Sequence, residues 1–245
     1  MQQVIKDLKE FKLAGMAYCL EERLNYVQTN KLSYMELLEL LCEDEKSSRR
    51  DNSYKRRKNA AKLPSIKMLE DFDFNFQPSI DQKIVSTLAT CQFIKSGENV
   101  ILIGASGTGK THLAISFALK ALSKEYSVFF TTVSDLLYNM HIAKADNSYH
   151  KKLKQLINYD LLILDELGFK QLPQYSVDDF FSIISKRYEH KSTIITTNKE
   201  LSKWNDIFAE EMLTKAIVDR LIHHASIFNI KGRSYRTISR KKGEI

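Results

Sequence analysis

VILIGASGTGKT, residues 100–111, places four apolar residues before a glycine-rich loop, and HLAISFALKAL, residues 112–122, follows with helical apolar spacing. A strand, a loop and a helix N-terminus in that order is the setting in which GxxxxGK[ST] cradles phosphate. Gly104, Gly107 and Gly109 let the loop curl so that its amides converge on anionic oxygens. The helix that starts at Thr111 adds a partial positive charge beneath them. The candidate nucleotide-binding residues are therefore Gly104, Ala105, Ser106, Gly107, Thr108, Gly109, Lys110, Thr111 and His112. Lys110 is expected to reach the β- and γ-phosphates of ATP and the Thr111 hydroxyl to hold Mg²⁺.

Further short apolar runs at 128–130, 161–164 and 193–195 read as strands buried on both faces of a parallel sheet. Helical stretches are expected at 111–124, 134–145, 176–188 and 211–224. Alternation of this kind implies a three-layer α/β/α domain. The run at 161–164 ends in Asp165-Glu166. Asp165 is a second candidate Mg²⁺ ligand and Glu166 a candidate base for the attacking water. That acidic pair favours hydrolysis of ATP over transfer of phosphate to a metabolite. Asn198 follows the fourth strand, where its amide can orient water or sense the γ-phosphate. Arg220 lies late on an amphipathic helix, from which it can reach a neighbouring subunit's ATP.

The first 63 residues read differently. Val4–Val27 has the spacing of one amphipathic helix, and Ser33 and Glu36 form a capping box ahead of a second. The second helix is expected to continue through a basic block until Leu63-Pro64 stops it. Residues 64–78 form a linker whose alternating Asp71-Phe72-Asp73-Phe74-Asn75-Phe76 predicts an extended segment packing its rings on the following domain, residues 79–245.

The net charge of +7 is concentrated. Lys46–Lys62 holds eight Lys/Arg against Asp51 alone, and Lys231–Lys242 holds six with no acid, so the rest of the chain is net acidic. Such blocks suit a phosphate backbone, although a solvated basic face has the same composition. Arg49, Arg50, Lys55, Arg56, Arg57 and Lys58 are the candidate DNA contacts in the first block. No apolar run is long enough for a bilayer span, and the polar N-terminus predicts no export signal. Cys19, Cys42 and Cys91 are too scattered for a zinc motif. A cytoplasmic protein is expected. A P-loop kinase of small molecules and a DNA-binding module with an idle ATPase domain are competing classes; the first lacks an acceptor signal and the second conflicts with the intact acidic pair.

With the P-loop, LILDE, TTN and VDR in this order, the chain resembles an AAA+ ATPase of the initiator and helicase-loader branch. LAGMAYCLEERL, LLCEDEKSSRRDNSYKRRKNAAKL, LEDFDF and VDRLIHHASIFNIKGRSYR together resemble the IstB-type ATP-binding proteins of insertion sequences. That resemblance implies an AAA+ domain with a reduced or absent C-terminal lid. It implies a homo-oligomer with ATP that binds double-stranded DNA and presents it to the transposase of the same element; a replicative helicase loader is the alternative. By position it makes Lys110 and Thr111 Walker A, Asp165 and Glu166 Walker B, Asn198 sensor 1 and Arg220 an arginine finger in trans. It also places DNA contacts between the second and third strands, at Lys144, Lys151, Lys152 and Lys154. Arg233 and Arg236 are candidates for a sensor 2 role.

Overall fold

The computed structural model describes residues 1–208 and 210–235, without the side chains of residues 174 and 175. Arg236 and the basic residues after it lie outside the described residues. The chain divides into two compact units, residues 1–56 and 57–245.

The first unit contains α1 (Gln2–Glu10), α2 (Ala14–Asn30) and α3 (Tyr34–Ala60), the last running past the division. The single helix expected over Val4–Val27 is thus two. The chain turns at Lys12, whose φ is 60°, and Leu13 N–H returns to Leu8 O at 2.8 Å. Nothing local caps α2. Instead Glu45, buried on α3, accepts from the backbone N–H groups of Gly15 and Met16 at 2.7 and 3.2 Å. Gly15 permits this approach: a Cβ there would lie 2.8 Å from Glu45 Cα. Arg23 grips Asp44 through two bonds of 2.7 Å and holds its carboxyl below the usual range. Ser33 and Glu36 form the capping box at the start of α3.

The second unit runs α4 (Gln82–Ala89), α5 (Gln92–Lys95), β1 (Asn99–Gly104), α6 (Lys110–Ser123), β2 (Val128–Thr132), α7 (Val133–Ala145), α8 (Tyr149–Asn158), β3 (Leu161–Leu167) and α9 (Gln174–Arg187). It continues through β4 (Ser192–Thr197), a 3₁₀ turn (Leu201–Lys203), α10 (Asn205–Phe208), α11 (Glu211–Ile222) and β5 (Ala225–Ile230). The strands form one parallel sheet in the order β2-β3-β4-β1-β5. Val100–Leu102 of β1, Leu161–Leu164 of β3 and Ile194 and Ile195 of β4 are completely buried, as expected of strands covered by helices on both faces.

β5 is the strand not anticipated from the sequence. Its residues, ASIFNI, intersperse polar with apolar side chains because β5 is an edge strand and only Phe228 and Ile230 are buried. Inside the sheet, the approach to β3 is tied to the start of β4 by Arg187, buried at 1% exposure. Its guanidinium donates to the carbonyls of Leu156, Ile157 and Tyr159, which end α8, and to Ser192 O. Burial lowers its pKa to about 9. Among the described residues no helix is long and apolar enough to cross a membrane.

Candidate functional site

β1 delivers the chain to the loop at Gly104, and α6 starts six residues later at Lys110. Gly109 takes φ +98°, and a Cβ there would lie 2.6 Å from Phe72 Cε2. Both the backbone region and the space therefore demand glycine. Gly109→Ala is expected to remove nucleotide binding while the sheet still folds, checked by fluorescent-nucleotide titration beside a far-UV circular dichroism melt. Lys110 Nζ donates to Gly104 O and Ala105 O at 2.8 and 2.7 Å, which fixes the ammonium in the mouth of the loop. Thr108 Oγ1 closes the turn onto Ala105 O at 2.9 Å.

The end of β3 faces this loop. Asp165 is buried, and its carboxylate accepts from Thr111 Oγ1 at 3.0 and 3.1 Å and from the Thr196 hydroxyl. In a regular strand Glu166 would point to the other face of the sheet. The β3–β4 register slips here, however: Leu164 pairs with Ile195 but Leu167 with Thr197. Glu166 has φ +65° and donates its N–H to Thr196 Oγ1 at 3.0 Å. The bulge re-aims the exposed Glu166 side chain, which lines the same cavity as Thr111, the hydroxyl that bonds to Asp165. Thr196, Thr197 and Asn198, from the end of β4, line the same cavity.

That cavity, of about 710 Å³, is of the size that holds small-molecule ligands. Its other wall was not anticipated. Residues 64–77 form turns instead of the expected extended segment, because Asp73 Oδ1 accepts from Phe76 N–H at 3.0 Å and Leu69 O from Phe72 N–H at 3.1 Å. Phe72 is buried edge-on against His112, and Phe76 stands edge-on against Tyr235. His112 Nε2 lies 2.8 Å from Met68 O, so this candidate nucleotide residue anchors the wall. Tyr235 N–H donates to Gly107 O at 2.9 Å, and Gln77 Nε2 to Arg233 O at 3.0 Å. Arg233 is thereby held through its backbone beside the loop. The Phe alternation signalled packing, but nothing in its spacing named the loop as the partner.

Arg220 is not in this cavity. It sits on the last turn of α11, donating to Ala216 O at 2.8 Å and lying over the Phe181 ring at 5.1 Å. The chain from there enters β5 beside the start of β1, where Asn99 N–H donates to His224 O and Asn99 Nδ2 to Leu221 O. Glycine-loop and arginine thus lie at opposite ends of β1. At roughly 3.3 Å per residue that is about 17 Å, more than an arginine side chain spans.

The basic candidates fall into different settings. Arg50, Lys55 and Arg56 are exposed; Arg49 is paired with Glu45, and Arg57 lies 4.0 Å from Glu125. Lys58 is half-buried. Lys144 on α7 is paired at 2.8 Å with the buried Asp179 of α9, whereas Lys151 and Lys154 on α8 are exposed and Lys152 is half-buried.

Residues 6–243 match the family model of the IstB-like ATP binding proteins. A protein of Pseudomonas aeruginosa named as an ATP-binding protein of insertion sequence IS21 is 38% identical over 97% of this chain and 90% of its own. Another from Bacillus thuringiensis subsp. berliner, named for insertion sequence IS232, is 37% identical over 96% and 94%. Among solved structures, the DnaC helicase loader is 25% identical with a TM-score of 0.53, covering 72% of this chain and 99% of that one. AMPPCP-bound DnaA from Aquifex aeolicus shares the fold, at 21% identity and a TM-score of 0.58, covering 75% and 56%.

Proposed function

The chain belongs to the IstB-like ATP-binding protein family, and from that premise we propose that it hydrolyses ATP as an oligomer on double-stranded DNA. In this role it presents the DNA to the transposase of the same element. The observation that carries the reading is the division of the catalytic set. Lys110, Thr111, Glu166 and Asn198 line one cavity with the buried Asp165 bonded to Thr111, while Arg220 stands at the far end of β1. A neighbouring subunit supplies the missing arginine, so hydrolysis requires assembly.

Each residue has a defined task. The loop amides and Lys110 hold the phosphates, and Glu166 takes the proton of the attacking water. Asn198 orients that water, and Arg220 from the neighbour stabilises charge on the transferring phosphoryl group. Thr111 and Asp165 present facing hard oxygen donors, a set that fits Mg²⁺. The ion, when bound, neutralises charge on the β- and γ-oxygens. The aromatic wall of Phe72, Phe76 and Tyr235 offers apolar faces for the base.

The same reading assigns DNA to the exposed cations of α3 and α8. ATPase rate should rise with duplex DNA and climb more than linearly with protein concentration; a rate proportional to concentration and blind to DNA would overturn it. In the Arg50, Lys55 and Arg56 triple alanine variant, the slope of log affinity against log salt should flatten by up to about 2.7, at roughly 0.9 for each phosphate no longer neutralised. An unchanged slope removes α3 from the DNA surface. The likeness to DnaC leaves a helicase-loading role as the second reading. Capture of a hexameric helicase instead of the transposase in a pull-down would favour it.

A further inference from the structure

We propose that Glu189, His223 and His224 form a binding site for a zinc-class divalent transition metal, at the end of the sheet opposite the nucleotide cavity. One ligand atom from each side chain lies within 4.8 Å of the others. His223 Nδ1 is 3.8 Å and His224 Nε2 is 4.0 Å from Glu189 Oε1, and the two imidazole centroids are 4.2 Å apart. Zinc bonds of about 2.0–2.1 Å in a tetrahedron set neighbouring ligands roughly 3.3–3.4 Å apart, so side-chain rotation must bring each imidazole nitrogen about 0.5 Å closer to the carboxylate and the two nitrogens to the same spacing. Two imidazoles and one carboxylate suit Zn²⁺, Ni²⁺ or Cu²⁺ and not the all-oxygen preference of Mg²⁺ or Ca²⁺.

The backbone prepares the arrangement. Glu189 occupies the turn between α9 and β4 with φ +61°, and its carbonyl packs so closely on Gly97 that a Cβ there would lie 3.0 Å away. Two residues on, Asn99 N–H donates to His224 O at 2.8 Å. The segment 97–99 therefore pins both ligand-bearing turns, one before β4 and one before β5, on either side of β1. The Tyr188 hydroxyl lies 2.8 Å from His223 Nδ1, and metal binding exchanges that hydrogen bond for a metal bond. All three ligands are exposed, which leaves further coordination positions to water. A bound ion would cross-link the two turns next to the α11 end that carries Arg220.

The test is a Zn²⁺ titration of the full chain under reducing conditions, against a competing chromophoric chelator and without nucleotide. The wild type should hold one equivalent that is weakened at least about tenfold in Glu189→Gln and in the His223→Ala, His224→Ala double variant, since even outer-shell changes at metal sites weaken binding by that much. The equivalent should persist in a His141→Ala, His150→Ala control and in Cys42→Ser. Zn²⁺ should also raise the melting temperature of the wild type and not of Glu189→Gln. Equal melting of wild type and Glu189→Gln in metal-free buffer would show that the fold is intact. Absence of a bound equivalent in the wild type, or one unaffected by either site variant, would overturn the assignment.

Discussion

Glu166→Gln should lower the rate of ATP hydrolysis by about 10²–10⁴-fold, the usual contribution of a positioned general base, with ATP affinity nearly unchanged. Three features support so selective an effect. The Glu166 side chain is exposed and makes none of the contacts that hold Asp165 or Thr111 in place. Its backbone N–H anchors the bulge through Thr196, and glutamine keeps that bond. Glutamine also preserves shape at φ +65°, so the only loss is the capacity to accept a proton. Single-turnover hydrolysis beside equilibrium nucleotide binding checks both halves. A variant that turns over at the wild-type rate would show that another group activates the water.

Arg220→Ala should be at least as damaging, because arginine fingers contribute about 10³–10⁵ to the rate. Here, too, the geometry separates catalysis from binding. Arg220 touches Ala216 O and the Phe181 ring and lies at the far end of β1 from Lys110. The isolated subunit should therefore bind ATP as before, while the DNA-stimulated rate collapses. A lysine at this position should recover little, since it lacks the planar fork that spans two phosphoryl oxygens. Titration of ATP and of duplex DNA into the variant distinguishes a missing finger from a disrupted fold.

How much of this was legible in the residues depended on distance along the chain. β1, β3 and β4 announced themselves because burial on both faces leaves an unbroken apolar run, and the P-loop because its chemistry is contiguous. β5 was hidden by its place at the edge, where the exposed Ile227 and Asn229 dilute the pattern. The break between α1 and α2 was hidden because the cap comes from Glu45, about thirty residues away. The same holds for the cavity: Lys110, Thr111, Asp165 and Glu166 could be named in advance, whereas Phe72, Phe76 and Tyr235 could not. Their rings meet the loop only after the 64–77 segment has turned back on itself, and turns set by Asp73 leave no periodicity to read. A pairing of the same long-range kind joins Lys144, which the family resemblance offers as a DNA contact, to the buried Asp179 of α9, a partner that its own neighbourhood in the sequence does not announce.

An active site completed by two subunits is tested directly by one mixing experiment. Glu166→Gln chains retain Arg220 but lack the base; Arg220→Ala chains retain the base but lack the arginine. Each alone should be nearly inactive with ATP and duplex DNA. Mixed in equal amounts, they form some junctions at which an intact Glu166 meets a neighbour's intact Arg220. With random assembly through a head-to-tail interface that is about a quarter of all junctions, and the mixture should regain about that share of the wild-type rate. A mixture no faster than the two variants measured separately would contradict the shared site.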